Sequence, residues 1–263
     1  MIIIVIAYLF VFIFGAIIGS FLNVCIYRIP REESIVAPPS HCTTCGTRLK
    51  ALNLIPVFSY LWQKARCKQC GEKISARYIT IELLTGFLYS ALFYKFGIGT
   101  ELVAMLFLTS VLIVIFFIDL EFGIIPNSIV IFASVGGLIF YITSFFIPTD
   151  IFGDRNWWNP LVGAFIGSIF LLLVAFIGSK IYKTDEVMGG GDIKVLFPIG
   201  LFLGWKLMVI SLFISIVTAA VVCVVLILFH IINRKDTVPF GPFISIGTII
   251  AIIFGWQLIG WYF

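Results

Sequence analysis

Eight stretches of this chain are apolar for long enough, or nearly long enough, to cross a lipid bilayer, and that repetition leaves few folds open. They are Ile2–Val24, Ile79–Tyr94, Leu102–Ile118, Ser128–Ile147, Pro160–Ile181, Val195–Trp205, Leu207–Phe229 and Phe240–Tyr262. A spanning helix takes about 20 apolar residues. Inside a bilayer every backbone amide and carbonyl must be paired within the protein, which favours a bundle of helices. Val195–Trp205 is short and Ile79–Tyr94 carries Glu82; such spans belong inside a bundle, where protein or water satisfies irregular backbone. Composition agrees, with 61% hydrophobic and 11% charged residues against about 45–50% and about 25% in soluble domains. Disorder is excluded, because it needs low hydrophobicity and high charge. The expected fold class is an all-α polytopic membrane protein of about eight transmembrane helices.

Met1–Val24 is read as a retained first helix, since no basic residue precedes its apolar run and no small-residue cleavage site follows. Orientation follows from Lys and Arg. With the N-terminus outside, the inside-facing segments are 25–78, 119–127, 180–194 and 230–239, and they carry fourteen of the seventeen Lys and Arg. The other three are Lys95, Arg155 and Lys206. Positive charge stays cytoplasmic, so both termini are expected outside. The net charge of +4 then reflects topology and contact with anionic lipid. No basic stripe interleaved with aromatics marks a nucleic-acid surface.

Residues 25–78 form the one break in composition: basic, Pro-containing and rich in Cys. They are expected to be a small cytoplasmic domain between a first helix at 1–24 and a bundle at 79–263. The segment holds Cys42-Thr43-Thr44-Cys45-Gly46 and Cys67-Lys68-Gln69-Cys70-Gly71. Two CxxC pairs at this separation fit a tetrahedral zinc site, with each sulfur about 2.3 Å from the ion. A fold of about fifty residues has too little core to stand alone, so a metal is a reasonable staple. Disulfides are disfavoured in reducing cytoplasm, and four thiolates leave no open position for catalysis. His41 reads as a loop residue, and Cys25 and Cys223 as packing residues.

Ionisable groups in or against spanning segments are functional candidates by default. Asp119 closes the third span and Asp192 opens the sixth, both at the expected cytoplasmic ends. Asp119 also reads as the point where a helix meets water, and Asp192 as a helix N-cap. Gly189-Gly190-Gly191 beside Asp192 favours chemistry, because a capped helix needs no glycine run that permits close backbone approach. Two carboxylates sharing one proton supply an acid and a base, enough to activate water against an amide. Glu121, Asp185 and Glu186 are competing acids, read as solvated loop charges. Lys194 steadies local charge or reaches the headgroups.

Together these residues resemble the bacterial type IV prepilin peptidase family, the leader peptidase/N-methyltransferases among the GxGD-type membrane aspartic proteases. Gly19-Ser20-Phe21-Leu22-Asn23-Val24 with Tyr27-Arg28 and Pro30 looks like the family's opening motif. The two CxxCG knuckles follow, with Ile55-Pro56-Val57 and Ser59-Tyr60 between them. Arg77-Tyr78, Glu82 and Thr85-Gly86 come next, then Asp119 leading to Pro126-Asn127, then Gly189-Gly190-Gly191-Asp192 with Lys194, and Pro239-Phe240-Gly241-Pro242-Phe243 last. The resemblance implies cleavage of the basic leader of type IV prepilins or pseudopilins at the cytoplasmic face, after a Gly. It also implies methylation of the new N-terminal residue with S-adenosylmethionine. It maps the catalytic aspartates onto Asp119 and Asp192, with Gly189, Gly191 and Lys194 in support. The cysteine loop is tied to metal and to methylation, with Arg77 and Glu82 as candidates near that step. Two positions depart from the pattern: Ala51-Leu52-Asn53 lacks an acidic residue before Ile-Pro, and Ile79 stands where Pro commonly follows Arg-Tyr. The implied setting is the bacterial inner membrane, within type IV pilus assembly or protein secretion, with the prepilin and the lipid bilayer as partners. The main rival is a proton-coupled transporter using Asp119 and Asp192 as ion sites, which requires carboxylates near mid-membrane and repeat symmetry. A membrane scaffold with inert aspartates is a second rival. The preflagellin peptidase class is a third, and it generally lacks the four cysteines.

Overall fold

A computed structural model describes residues 2–154, 156–183, 188–233 and 237–262. Among them the chain is helical, with no β-strand beyond two isolated bridges. Its helices are α1 (Ile2–Arg28), α2 (Phe58–Trp62), α3 (Ala76–Phe96), α4 (Thr100–Phe122), α5 (Asn127–Thr143), α6 (Trp158–Tyr182), α7 (Gly190–Leu228) and α8 (Gly241–Tyr262). Six are long and apolar enough to cross a membrane: α1, α3, α4, α6, α7 and α8. α5 is apolar but has only 17 residues.

The segments Val195–Trp205 and Leu207–Phe229 lie within α7, which runs for 39 residues. At about 1.5 Å per residue such a helix is nearly twice the roughly 30 Å hydrocarbon core. It is broken at Gly204, whose φ of 71° and ψ of 174° leave the helical region. A Cβ there would lie 2.3 Å from Asn159 Oδ1, so only glycine suits both the dihedral and the space. Asn159 mends the break, its Oδ1 accepting from the Trp205 amide at 3.0 Å. Its Nδ2 donates to Phe152 O at 3.0 Å and Asp154 Oδ1 at 2.8 Å. A backbone amide freed inside an apolar bundle thus finds a side-chain partner, as it must.

The chain divides into two compact units, Met1–Ile98 and Gly99–Phe263. In the first, α1 packs along α3, and the small residues set the approach. A Cβ on Gly15 would stand 2.9 Å from Gly86 Cα, and one on Gly19 would stand 2.8 Å from Glu82 Cα. α3 begins at Ala76 rather than Ile79 because Ser75 caps it, its hydroxyl accepting from the Arg77 amide at 3.2 Å. In the second unit α7 lies against α5, α6 and α8, and α8 also touches α4. α6 and α7 meet backbone to backbone: a Cβ on Gly200 would lie 2.1 Å from Gly163 O. Polar pairs join other helices, Ser211 Oγ to Thr248 Oγ1 at 2.9 Å and Ser245 Oγ to Leu112 O at 3.1 Å. Small residues and interhelical hydrogen bonds replace the hydrophobic drive that lipid does not supply. Large apolar side chains such as Ile3, Phe10, Phe170 and Phe213 lie exposed, as a surface solvated by hydrocarbon requires.

Gly200→Ala is therefore expected to force α6 and α7 apart and to cost about 1–3 kcal/mol, the usual range for overpacking. Gly260→Ala, which meets nothing within 4 Å, is expected to be neutral. Thermal unfolding of both variants in detergent checks the difference.

Candidate active site and metal cluster

The second unit gathers two carboxylates at opposite helix ends. α4 stops at Phe122 because Gly123 turns left-handed (φ 65°, ψ 27°) and its amide closes on Asp119 O at 2.8 Å. Asp119 therefore sits in the last turn of α4, only 5% exposed. Its Oδ2 accepts from the amide of Gly241, the first residue of α8, at 2.8 Å. A Cβ on Gly241 would stand 2.6 Å from that oxygen, so the contact needs glycine.

Asp192 lies in the first turn of α7 and is 9% exposed. It is not the N-cap. That position is Gly189, without a side-chain cap, and the Asp192 amide bonds back to Gly189 O at 3.1 Å. The carboxylate is thus not spent on the helix start, and its Oδ1 is buried with no partner. The glycines fit around it. A Cβ on Gly189 would stand 3.0 Å from Asp192 Oδ2, and one on Gly191 would stand 2.9 Å from Ile125 Cβ in the α4–α5 link. The charge of Asp119 acts on Asp192, so the two share one local field. Lys194 Nζ donates to Asn127 Oδ1 at 3.1 Å, tying the start of α7 to the start of α5. Glu121 is exposed, and Asp185 and Glu186 lie outside the described residues. Two buried carboxylates in one field, one fixed by an amide and one with an unmet oxygen, have the chemistry of an acid–base pair. The role of the Gly241 amide was not foreseen from sequence. A Gly between two Pro-Phe pairs at 239–243 was its only signal.

In the first unit, the four sulfurs of Cys42, Cys45, Cys67 and Cys70 lie within 4.8 Å of one another, and all four residues are free thiols. Two near-identical knuckles bring them together. In the first, the Cys42 amide bonds to Thr47 O and the Gly46 amide to Cys42 O; in the second, the Cys67 amide bonds to Glu72 O and the Gly71 amide to Cys67 O. Gly46 and Gly71 turn left-handed at φ 69° and 73°. A tetrahedral metal with bonds of about 2.3 Å sets its sulfurs about 3.8 Å apart, and Cys42 Sγ is 3.8 Å from Cys70 Sγ. Electrostatics point the same way. Hydrogen bonds from the Thr47 hydroxyl and amide lower the Cys45 thiol to about 6. Backbone amides of Cys70 and Gln69 lower Cys67. Cys70 has a favourable Glu72 backbone hydrogen bond, yet desolvation and the neighbouring sulfurs push it up to about 12. Four thiolates this close need a cation among them, so these residues fit a metal. His41 is paired with Pro39 O, 3.1 Å from its Nδ1.

Arg77 and Glu82 line a cavity of about 520 Å³ in this unit, bounded by α1, the two knuckles and the start of α3. Glu82 is buried, its Oε2 accepting from the Val57 amide at 2.7 Å.

Residues 13–96 match the family model of the bacterial peptidase A24 N-terminal domain, and residues 106–224 match that of the type IV leader peptidase family. The chain is 37% identical over 251 residues to a prepilin leader peptidase/N-methyltransferase of Bacillus subtilis (strain 168), covering 95% of this chain and 96% of the relative. It is 33% identical over 279 residues to the protein of that description from Aeromonas salmonicida (strain A449), covering 96% and 92%. A Legionella pneumophila relative of the same description is 32% identical over 279 residues, covering 97% and 94%. No solved structure gives a significant match.

Purified chain is expected to carry about one metal ion, and the double variant Cys45→Ser/Cys70→Ser to carry none. Elemental analysis of protein prepared under reducing conditions checks this. A metal-free wild type of native helix content would refute the cluster.

Proposed function

This chain belongs to the type IV leader peptidase family, and on that premise we propose how it acts. It is a membrane-embedded aspartic endopeptidase that removes the basic leader of type IV prepilins or pseudopilins at the cytoplasmic membrane face. It then methylates the new N-terminus with S-adenosylmethionine. The observation that carries the peptidase reading is the burial of Asp119 and Asp192 at the ends of α4 and α7 within one field. Buried carboxylates in a bundle are costly and are kept for function.

The mechanism follows from their different surroundings. Asp119, held by the Gly241 amide, is the ionised partner and takes a proton from the attacking water. Asp192, whose Oδ1 lacks a partner, carries the shared proton and gives it to the carbonyl oxygen of the scissile amide. The tetrahedral diol then collapses: the C–N bond breaks with its electron pair going to nitrogen, Asp119 returns its proton to the departing amine, and one diol hydroxyl gives its proton back to Asp192 as the carbonyl re-forms. Gly189 and Gly191 let the backbone pass close to the carboxylate and the α4–α5 link. Lys194 fixes the helix start through Asn127.

The charge asymmetry of the loops supports a cytoplasmic site and both termini outside, in the inner membrane of a bacterium. The break at Gly204 supports two crossings within α7, and with α5 a total of eight. Residues 25–78 then form the cytoplasmic module, and both carboxylates belong to the unit Gly99–Phe263 rather than to a bundle that starts at 79, since α3 packs on α1 in the first unit. A prepilin with a basic leader and an apolar helix presents its scissile bond at that same surface. The metal held by the four cysteines is zinc in a closed, structural site. S-adenosylmethionine, when bound, would supply an electrophilic methyl group on its sulfonium for the new N-terminal amine. The cavity lined by Arg77 and Glu82 is large enough for such a cofactor, about 300–1,000 Å³ being typical.

Asp119→Asn and Asp192→Asn are each expected to slow leader cleavage by at least about 100-fold, the lower end of what acid–base groups contribute, with folding and membrane insertion intact. Mass spectrometry of a prepilin incubated with each purified variant reads this out. Near-normal mass loss with either one would sink the dyad. On the wild type, an unmodified amine with the methyl donor present would leave a peptidase alone.

A further inference from the structure

One short helix of the first unit turns apolar side chains away from the rest of the chain. In α2, Phe58, Leu61 and Trp62 stand at i, i+3 and i+4 and so share a face. They are between 61% and 83% exposed. Ser59 and Tyr60, on the other side, line the 520 Å³ cavity. Leu52, in the helical turn just before, is exposed as well. An apolar face left open in this way marks an interaction surface.

The height of this face is set by α3. That helix has 21 residues, about 31 Å at 1.5 Å per residue, barely the thickness of a hydrocarbon core of about 30 Å. Glu82 stands six residues after Ala76, about 9 Å along the axis, and its Oε2 accepts from the Val57 amide at 2.7 Å. Helical side chains lean toward the N-terminus, which takes back only part of that depth. Val57 therefore runs beside the first turns of α3 instead of beyond them, and Phe58 follows it directly. The Tyr60 hydroxyl donates to Ile74 O at 3.4 Å and the Ile74 amide to Ala65 O at 2.8 Å, which holds α2 there. Val57 sits at φ 63°, where β-branched residues are seldom found, so the turn that aims α2 is imposed by its partners.

Charge names the partner. Arg48, Lys50, Lys64, Arg66, Lys68 and Lys73 are all exposed, and Glu72 is the single acid among residues 48–73. An apolar face with Trp and a cationic rim is the make-up of a helix lying in the headgroup–acyl boundary. The same rim repels the basic leader of a prepilin.

We propose that the α2 face is a membrane anchor: Leu52, Phe58, Leu61 and Trp62 insert into the headgroup–acyl boundary of an anionic leaflet, with the flanking Lys and Arg on its phosphates. This seat fixes the height of the four-cysteine cluster over the bilayer. The inference rests on α1 and α3 crossing the membrane and on neither step of the proposed chemistry.

The full chain in vesicles of phosphatidylethanolamine and phosphatidylglycerol, irradiated with a phospholipid carrying a diazirine near its headgroup, tests the anchor. Trypsin cuts after Lys50 and Lys64, and the peptide 51–64 is expected to carry lipid. Peptides of α1 and α3 report insertion in the same sample. A second measurement subtracts the fluorescence of Trp62→Phe from that of wild type, at equal helix content. The difference is expected to be quenched more by a nitroxide near the headgroup than by one at the chain end, as a depth of about 5–10 Å requires. In phosphatidylcholine alone both signals are expected to fall, because the anionic attraction is gone. Lipid on α1 and α3 with none on 51–64, or a Trp62 signal untouched by either nitroxide, would overturn the anchor. Labelling of 51–64 that excess prepilin abolishes would assign the face to the substrate and overturn it too. No lipid on α1 or α3 would remove the spans themselves and the anchor with them.

Discussion

Hydrocarbon offers no hydrogen bonds, so every polar group inside this chain must find its partner in the protein or serve a purpose. That rule explains the order seen across the bundle. Ser211 meets Thr248, Ser245 meets a carbonyl of α4, and Asn159 repairs the amide freed at Gly204. Against that background the unmet groups stand out. Asp192 Oδ1 and Asn23 Oδ1 are both buried without a partner, as are Thr109 Oγ1 and Trp205 Nε1. Asp192 lies in the field of a second carboxylate, and Asn23 lines a cavity.

Glycine is the second recurring device, and it serves two different ends. At Gly163 and Gly200 it lets two backbones touch, which holds the bundle together. At Gly189, Gly191 and Gly241 it lets backbone pass within contact of the aspartates or of the α4–α5 link. The same residue type therefore sets stability in the membrane and geometry at its edge. The first unit uses a different economy: two short knuckles with little core, closed by four sulfurs that repel one another until a cation sits between them.

Much of this was legible in the sequence because it is local or compositional. Apolar run length gave the helices, Cys spacing gave the cluster, and Asp119 and Asp192 were singled out by their place at the ends of apolar runs. Ser75 signalled the earlier start of α3 and needed only the N-cap rule to be noticed. Other features depend on distant packing and carry no local sign. Asp192 has the chemistry of an N-cap, yet Gly189 takes that position, because the carboxylate is turned inward. Gly241 reaches Asp119 across 122 residues of chain, and Asn159 reaches Trp205 across 46. The break in α7 was expected near Lys206 and falls at Gly204, since the residue that must lose its Cβ is the one facing Asn159. The 520 Å³ cavity likewise appears only once α1, the knuckles and α3 are assembled.

The central claim is that the two carboxylates work as one unit. Cleavage rates of the two single Asp→Asn proteins and of the doubly substituted protein test it most directly, measured on one prepilin under one condition. Groups that share one step lose nearly everything with the first removal, so the double variant should be within a few-fold of the slower single one. Losses that multiply, so that the double variant is slower by the product of the two single effects, would mean that Asp119 and Asp192 act separately, and the shared-proton mechanism would be wrong.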